Sequence, residues 1–159
     1  MARLTLDIDW GDIDTTQREV VEAQQMVLFE IANKFASQAS DFAPVDTGNL
    51  AQGIATSLDP AAPGANEYTV SDRTTYGVHV NDGTRPHMPP VNELKDWARR
   101  VLGDEGAAWP VAKAIAERGT KPTKFWERAY VEVAEHWVEV FMNKHVRGRN
   151  FGKATTGAT

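Results

Sequence analysis

One long helical pattern, over residues 15–42, constrains the fold of this chain more than any other feature of its sequence. Apolar residues recur there mostly three or four positions apart, which places them on one face of an α-helix. These residues are Val20, Val21, Val27, Leu28, Ile31, Phe35, Ala39 and Phe42. At about 1.5 Å per residue such a helix is about 40 Å long, which is the width of a small domain. Pro44 is expected to end it.

Alternation of apolar and polar residues predicts short strands before and after this helix. Leu4, Leu6 and Ile8 alternate with polar residues, as in a half-buried strand. After the helix, three segments are predicted to be extended: residues 50–58, entered through a helical turn at 50–53, residues 68–72 and residues 76–80. The loop between the first two, residues 60–66, contains two prolines and one glycine.

The second half of the chain is predicted to be helical. Apolar residues with helical spacing indicate helices at residues 90–102, at residues 109–117 and from residue 123 onward. This order of elements predicts an α+β fold, in which the long N-terminal helix packs on a small antiparallel sheet. We expect a single domain over residues 1–142, with a helical insert at 90–119 and a long C-terminal helix. Residues 143–159 are expected to form a C-terminal arm.

The composition excludes several classes of protein. The 159 residues include no cysteine, which rules out a disulfide scaffold, a cysteine-ligated zinc or iron–sulfur site and thiol catalysis. No apolar run approaches the roughly 20 residues that a membrane-spanning helix needs. Residues 1–9 lack the basic and apolar regions of a signal peptide. We therefore expect the protein to be made and used without export.

Charge is distributed unevenly along the chain. The net charge is −5, but the segment after Val140 carries four bases and no acid. These bases are Lys144, Arg147, Arg149 and Lys153. An acidic body is a poor match to a free nucleic-acid-binding domain, which needs a basic face. A basic arm is suited to docking on the acidic body of a neighbouring copy, and the alternative is a solvated, disordered tail.

The sequence contains no recognisable catalytic pattern. It has no nucleophile elbow, no phosphate-binding glycine-rich loop and no dinucleotide fingerprint. His79, Asp82 and His87 form the closest cluster of metal-ligating residue types, but zinc needs three or four converging ligands. We expect no catalytic residue, no bound metal and no cofactor. Five tryptophans are many for this length, and most of them are expected in the core, with some as interface anchors.

Three stretches of the sequence resemble a known family when they are taken together. The first is Ala-Pro-Val-Asp-Thr-Gly-Asn-Leu at residues 43–50, which closes the long helix. The second is Tyr-Gly-Val-His-Val-Asn-Asp-Gly-Thr-Arg-Pro-His at 76–87, and the third is Ala-Glu-Arg-Gly-Thr-Lys-Pro-Thr-Lys-Phe-Trp at 116–126. Their order and spacing resemble the small tail-component, or tail-completion, proteins of long-tailed double-stranded-DNA bacteriophages. The resemblance covers residues 15–140. The family often has Glu-Phe where this chain has Asn81-Asp82.

The resemblance implies a structural virion protein and not an enzyme. Such proteins lie in the phage neck, at the head–tail junction, as a ring that completes the tail and joins it to the head. The implied partners are further copies of the chain in a ring, hexameric by that resemblance, the head-side connector or adaptor proteins, and the tail-tube or tail-terminator proteins. Genomic DNA would pass through without specific binding, which an acidic channel favours because carboxylates repel phosphates. Assembly would take place in the cytoplasm of the host bacterium.

Residue roles within this interpretation follow from residue type. Turn residues are Pro44, Asp46, Thr47 and Gly48, which fix the exit from the long helix, and Gly83 and Thr84, which end a strand. Asp46 and Thr47 are expected to bond the local backbone, and Gly48 to supply a permissive φ. Candidate contacts to another subunit or ring are Arg85, His87, Lys144, Arg147, Arg149 and Lys153. The 60–66 loop is a further candidate for reaching a neighbouring ring.

Other functions remain open at the level of sequence. A tail terminator or a head-closure stopper would occupy the same neck position and is poorly separated from a tail-completion protein. A metal-dependent hydrolase using His79, Asp82 and His87 is the enzymatic alternative. A regulator that binds nucleic acid through the basic arm is the fourth alternative. Sequence-selective DNA binding would support it, whereas weak, wholly salt-sensitive binding would not distinguish it from non-specific charge attraction.

Overall fold

Helix α1 (Gln17–Phe42) is the longest element and lies against much of the rest of the structure. The structure, a computed structural model, describes residues 2–8, 17–55, 59–60, 68–146 and 154–158; residues 2–8, 17–20, 59–60, 146 and 154–158 are described by their backbone alone. The other elements are β1 (Ala2–Ile8), α2 (Asn49–Ala55), β2 (Asp59–Pro60), β3 (Tyr68–Val70), α3 (Gly77–Asp82), α4 (Val91–Leu102), a 3-10 turn (Glu105–Ala107), α5 (Ala108–Arg118), α6 (Phe125–His136), α7 (Val138–Val146) and β4 (Ala154–Ala158).

The predicted α+β fold is wrong, because the structure is mostly helical. Where side chains are described, 72% of the residues are helical, with one short strand and no sheet. The segment predicted as a strand at 76–80 forms helix α3, and the helical turn predicted at 50–53 continues as helix α2 to Ala55, where an extended segment was expected. In α2, Leu50 and Ile54 are four residues apart and both are buried, as on one helical face. In α3, Val78 is 51% exposed, so the alternation read there as a strand does not correspond to a buried sheet face.

The core is formed mainly by α1 and α6. Helix α1 buries a continuous stripe: Val27, Leu28, Ile31, Ala32, Phe35, Ala36 and Ala39. Ala129 of α6 is fully buried, and its small side chain lets the two helices approach closely. The rings of Phe35 and Trp126 stack with their centroids 5.6 Å apart. Phe125, also fully buried, lies 5.1 Å from Trp126. Burial of large apolar side chains therefore fixes where α6 lies on α1.

Three strand segments described by backbone alone, β1, β2 and β4, pair with β3 or with one another. Strand β1 pairs antiparallel with β3, and β2 pairs antiparallel with the other side of β3. Strand β4 pairs antiparallel with β1, with Leu4 opposite Ala158 and Ile8 opposite Ala154. The strand order is β2-β3-β1-β4. Residues 154–158 of the predicted arm thus pair with a strand of the same chain.

Helices α4 and α5 form a hairpin around the 3-10 turn. The buried residues of this hairpin are Ala98, Ala108 and Ala112, which are small and lie outside the main apolar cluster. The tip of the hairpin leaves large apolar side chains exposed, and Trp109 is 60% exposed. Ion pairs from Arg99 to Asp96 and Glu105 reinforce the tip. The hairpin therefore has very little apolar core of its own.

The predicted helices are confirmed in position, with one correction at the end. The long N-terminal helix and the helices at 91–102 and 108–118 match their predicted segments closely. The last predicted helix is divided at Trp137 into α6 and α7. The ring of Trp137 lies beneath the ammonium of Lys34 on α1, 4.0 Å away, and stacks on Phe141 at 5.7 Å. The break lies where this large ring packs against α1, and both segments contact α1.

Two valines of α6 provide a matched test of this packing. Val133 is 2% exposed, whereas Val131 is 48% exposed. We expect Val133→Ala to lower the free energy of unfolding by about 1–3 kcal/mol, because it leaves a cavity against α1. Val131→Ala should change it by less than about 0.5 kcal/mol. Urea unfolding of both variants measures the difference, and equal effects would contradict the assignment of the buried face.

Candidate functional site

Two of the stretches that carry the family resemblance lie directly against each other. Thr84 and Thr120 form an isolated antiparallel β-bridge, and each N–H donates to the other's carbonyl oxygen at 3.3 Å. Their hydroxyl groups are 3.1 Å apart, and the N–H of Thr120 also lies 3.1 Å from Oγ1 of Thr84. We call Gly83, Thr84, Gly119 and Thr120 the Gly-Thr bridge. It joins positions 36 residues apart in the sequence.

The two glycines of the Gly-Thr bridge are required by close backbone contacts. Gly83 and Gly119 have φ angles of 74° and 72°, a region that side chains rarely adopt. A Cβ on Gly119 would lie 1.9 Å from the carbonyl oxygen of Thr84, and one on Gly83 would lie 2.4 Å from that of Thr120. Both contacts are with backbone, which cannot move aside as a side chain can. Glycine is therefore needed at both positions for the bridge to form.

Asn81 provides a second connection between the same stretches. It is the buried polar residue among those with described side chains, at 6% exposure. Its Oδ1 accepts the N–H of Trp126 at 3.1 Å, and its Nδ2 donates to Asp82 at 2.9 Å and to Glu127 at 3.1 Å. The N–H of Trp126 lies in the first turn of α6, where no helical carbonyl is available. Asn81 thus caps α6 from another part of the chain, which is the role that an N-cap side chain normally has.

Lys124 closes this connection from the solvent side. It has a φ of 54°, and its N–H donates to the carbonyl oxygen of Asn81 at 3.1 Å. Its ammonium lies 2.9 Å from Asp82 and 3.0 Å from Glu127. The Lys124 hydrogen bond lowers the pKa of Asp82, with the Asn81 amide adding to the effect. Burial acts to raise the pKa of Glu127, but its hydrogen bonds outweigh that and the net direction is down.

A shallow groove of about 480 Å³ lies beside the Gly-Thr bridge. It is lined by His79, Gly83, Thr84, Arg85, Pro86 and His87. The loop carrying Arg85 and His87 is held by two contacts: His87 Nδ1 lies 2.9 Å from the carbonyl oxygen of Arg85, and the His87 N–H donates to that of Ile115 on α5. The structure therefore brings together two predicted contact residues, Arg85 and His87, and both are exposed.

The predicted turn after α1 is present, but Asp46 has a different partner. Gly48 has a φ of 82°, and its carbonyl oxygen accepts the N–H of Gln52 at 2.9 Å. The carboxylate of Asp46 accepts two hydrogen bonds from the guanidinium of Arg100, at 3.0 and 2.7 Å. Arg100 thereby lowers the pKa of Asp46. The turn that contains Pro44 and Thr47 is thus tied to α4, 54 residues away, whereas sequence reasoning expected a local bond.

The side chains of the predicted basic arm are described only at its start. Lys144 lies within α7, and its ammonium donates to Glu30 on α1 of the same chain. His145 Nε2 lies 3.2 Å from the other carboxylate oxygen of Glu30. The Lys144 hydrogen bond, with a contribution from His145, lowers the pKa of Glu30. Lys144 thus has a partner within its own chain.

Other predicted positions fall partly outside the description. Arg147, Arg149 and Lys153 lie outside the described residues, as does most of the 60–66 loop. His79 and His87 line the groove, but no three His, Cys, Asp or Glu side chains converge as a metal site requires anywhere among residues with described side chains. No described helix is long and apolar enough to cross a membrane.

Comparison with known proteins adds no relative. No family model, no curated protein and no solved structure matches this chain.

Sequence reasoning missed the pairing of the two Gly-Thr segments, although the sequence holds a signal for it. Gly-Thr followed by a base and a proline occurs twice, at Gly83-Thr84-Arg85-Pro86 and at Gly119-Thr120-Lys121-Pro122. The proline lacks an N–H and so limits further pairing after each threonine. The repeat alone does not indicate that its two copies lie together, because nothing in the pattern relates positions 36 apart. The role of Asn81 gave no signal in the sequence, since Trp126 and Glu127 are 45 and 46 residues away.

The Gly-Thr bridge can be tested with two glycines that share one φ value. Gly103 and Gly119 both have a φ of 72°, but nothing lies within 4 Å of a Cβ on Gly103. Gly103→Ala should cost about 1–2 kcal/mol of unfolding free energy, from its left-handed backbone. Gly119→Ala should cost about 1–3 kcal/mol more, because its ψ of −165° lies in a region that only glycine readily adopts, against 5° at Gly103, and because its Cβ also meets the Thr84 carbonyl. Chemical denaturation compares them, and a Gly119→Ala variant as stable as Gly103→Ala would refute the close contact.

The lowered pKa of Glu30 predicts a pH dependence of stability. Its ordinary value is 4.5, and its pKa in the folded chain lies below that. Between the two values the unfolded chain binds more protons, so this contribution to stability is complete above pH 4.5 and is lost as the pH falls through the folded pKa. Glu30→Gln should therefore lose less stability than the wild type in this range. Thermal unfolding at several pH values measures it. The control is Glu93→Gln, which removes an exposed carboxylate with no ion pair among the described residues and should follow the wild type.

Proposed function

We propose that this protein is a structural component of the neck of a long-tailed bacteriophage, where copies of it form a ring that completes the tail and joins it to the head. One observation supports the proposal most. Residues 76–87 and 116–126 resemble the family as separate stretches, and in the structure they form one unit through the Gly-Thr bridge and Asn81. Stretches that carry one structural unit are a stronger basis for a resemblance than scattered matches.

The charge of the described surface is consistent with this role. The chain has a net charge of −5, and most bases with described side chains are paired with acids or rings of the same chain. A ring built from such subunits can surround DNA without holding it, because net negative charge repels phosphates. A tail terminator or a head-closure stopper needs the same property, so these two neck roles remain as alternatives within the proposal.

Deletion of the gene from the phage or prophage that encodes it tests the proposal. We expect infectious particles to be lost and electron microscopy to show DNA-filled heads and tails of normal length that have not joined. Heads that lose their DNA would indicate a stopper, and tails of uneven length a terminator. The wild-type gene supplied in trans is the control and should restore joined particles. Normal yields of infectious particles without the gene, and absence of the protein from purified wild-type particles, would refute the neck role.

A further inference from the structure

Bases without a partner are concentrated around the Gly-Thr bridge. Among Lys and Arg residues with described side chains, four have side chains with no ion pair, hydrogen bond or ring contact: Arg85, Lys113, Arg118 and Lys121. Three of these lie within two residues of the paired threonines: Arg85 follows Thr84, and Arg118 and Lys121 flank the Gly119-Thr120 segment. All three are exposed. We call Arg85, Arg118 and Lys121 the basic face.

The carboxylates near the basic face do not neutralise it. Asp82 is close in sequence but already contacts Lys124. Glu117 is adjacent to Arg118 and exposed, with no ion pair among the described residues. Three cations and one free carboxylate leave this surface positive, whereas the chain as a whole has a net charge of −5. A positive surface on an acidic chain attracts negative partners, and the chain itself supplies one.

Three acidic residues lie on either side of the junction between the last two helices. Glu132 and Glu135 are three residues apart, which places them on one side of α6, and Glu139 follows in the first turn of α7. Glu132 has His136 as its described ion-pair partner, at 3.6 Å, and Glu135 and Glu139 are exposed with no ion pair among the described residues. We call these three residues the acidic face.

The two faces do not meet within one chain. Helix α6 begins beside the Gly-Thr bridge at Phe125 and runs away from it, so Glu135 lies about 15 Å further along the helix at about 1.5 Å per residue. No described ion pair joins a residue of the basic face to one of the acidic face. Each chain therefore has one positive and one negative surface without a partner. Both surfaces can form ion pairs when the acidic face of a second copy lies on the basic face of the first.

Exposed apolar side chains accompany both faces and favour the same contact. Val78 and Met88 adjoin the two groove histidines in the sequence and are 51% and 52% exposed. Val131 lies one helical turn before Glu135 and is 48% exposed. Charge attraction alone contributes little at an exposed surface. Burial of apolar surface on both sides adds the driving force that a contact between proteins requires.

We infer that the basic face of one copy binds the acidic face of a second copy. The contact joins two different surfaces, so it is heterologous and closes into a ring when the rotation between copies permits. This contact identifies the surfaces that would meet in the proposed neck ring. Only the closure of the contacts into a ring rests on the proposed function. A nucleic acid is the less favoured occupant, because the net charge of the chain opposes the approach of a polyanion.

Charge reversal on each face tests the contact with the purified full-length chain. The wild type should self-associate at about 50 mM salt and more weakly at about 500 mM, because salt screens exposed charges. Arg85→Glu/Lys121→Glu and Glu135→Lys/Glu139→Lys should each weaken self-association about tenfold or more. An equimolar mixture of the two variants should associate, because each retains the face that the other needs. Sedimentation velocity measures all of these states, and circular dichroism checks that the variants are folded.

Lys113→Glu is the matched control, since Lys113 is an unpaired base on α5 that lies outside the basic face. It should associate as the wild type does. Four results would overturn the inference: a wild type that stays monomeric at low salt, reversals that leave association unchanged, a mixture that fails to associate, or DNA binding that the wild type shows and Arg85→Glu/Lys121→Glu lacks. If the protein is absent from purified phage particles but the purified chain still self-associates in a salt-sensitive way, the neck role alone is refuted. If the protein is present in phage particles but the purified chain does not self-associate, this contact alone is refuted.

Discussion

The buried amide of Asn81 is the interaction on which the second half of the fold depends. A buried amide is costly unless its oxygen and nitrogen both have partners. Asn81 finds them at the start of α6, where helical N–H groups also lack partners. The Asn81 amide and the free N–H group of α6 both find partners in the arrangement of α3 and α6 that the structure shows. That arrangement sets the start of α6 and therefore which of its side chains face α1.

Apolar packing stabilises the main core, whereas polar contacts attach the α4–α5 hairpin to it. Large apolar side chains lie between α1 and α6, with α2 against α1 on the same core. The α4–α5 hairpin has buried alanines of its own, and polar groups tie it to the rest: the Gly-Thr bridge at its base and the Asp46–Arg100 ion pair near the end of α4. Of these two ties, salt should weaken only the Asp46–Arg100 ion pair, because the Gly-Thr bridge is held by hydrogen bonds between uncharged groups.

The long helices were predictable from sequence because their apolar repeats extend over several turns. Residues 76–80 were not, since three alternating residues fit a strand and a short helix equally, and only burial distinguishes them. The break at Trp137 depends on packing against Lys34, which helical spacing does not reveal. Of the candidate site, Arg85 and His87 were identified from residue type, but the Gly-Thr bridge and Asn81 depend on contacts between distant positions. The family resemblance and the neck role stay predictions.

The Gly-Thr bridge also has a topological consequence for the hairpin that it closes. The chain leaves the body at Thr84 and returns to it at Thr120, and these two residues are hydrogen-bonded neighbours. The segment between Thr84 and Thr120 is therefore an insertion whose two ends are held together by hydrogen bonds. Such a segment can lengthen, shorten or be exchanged for another without moving the elements on either side. This position is the natural place in the chain to graft a foreign module or to look for variation in length among related sequences.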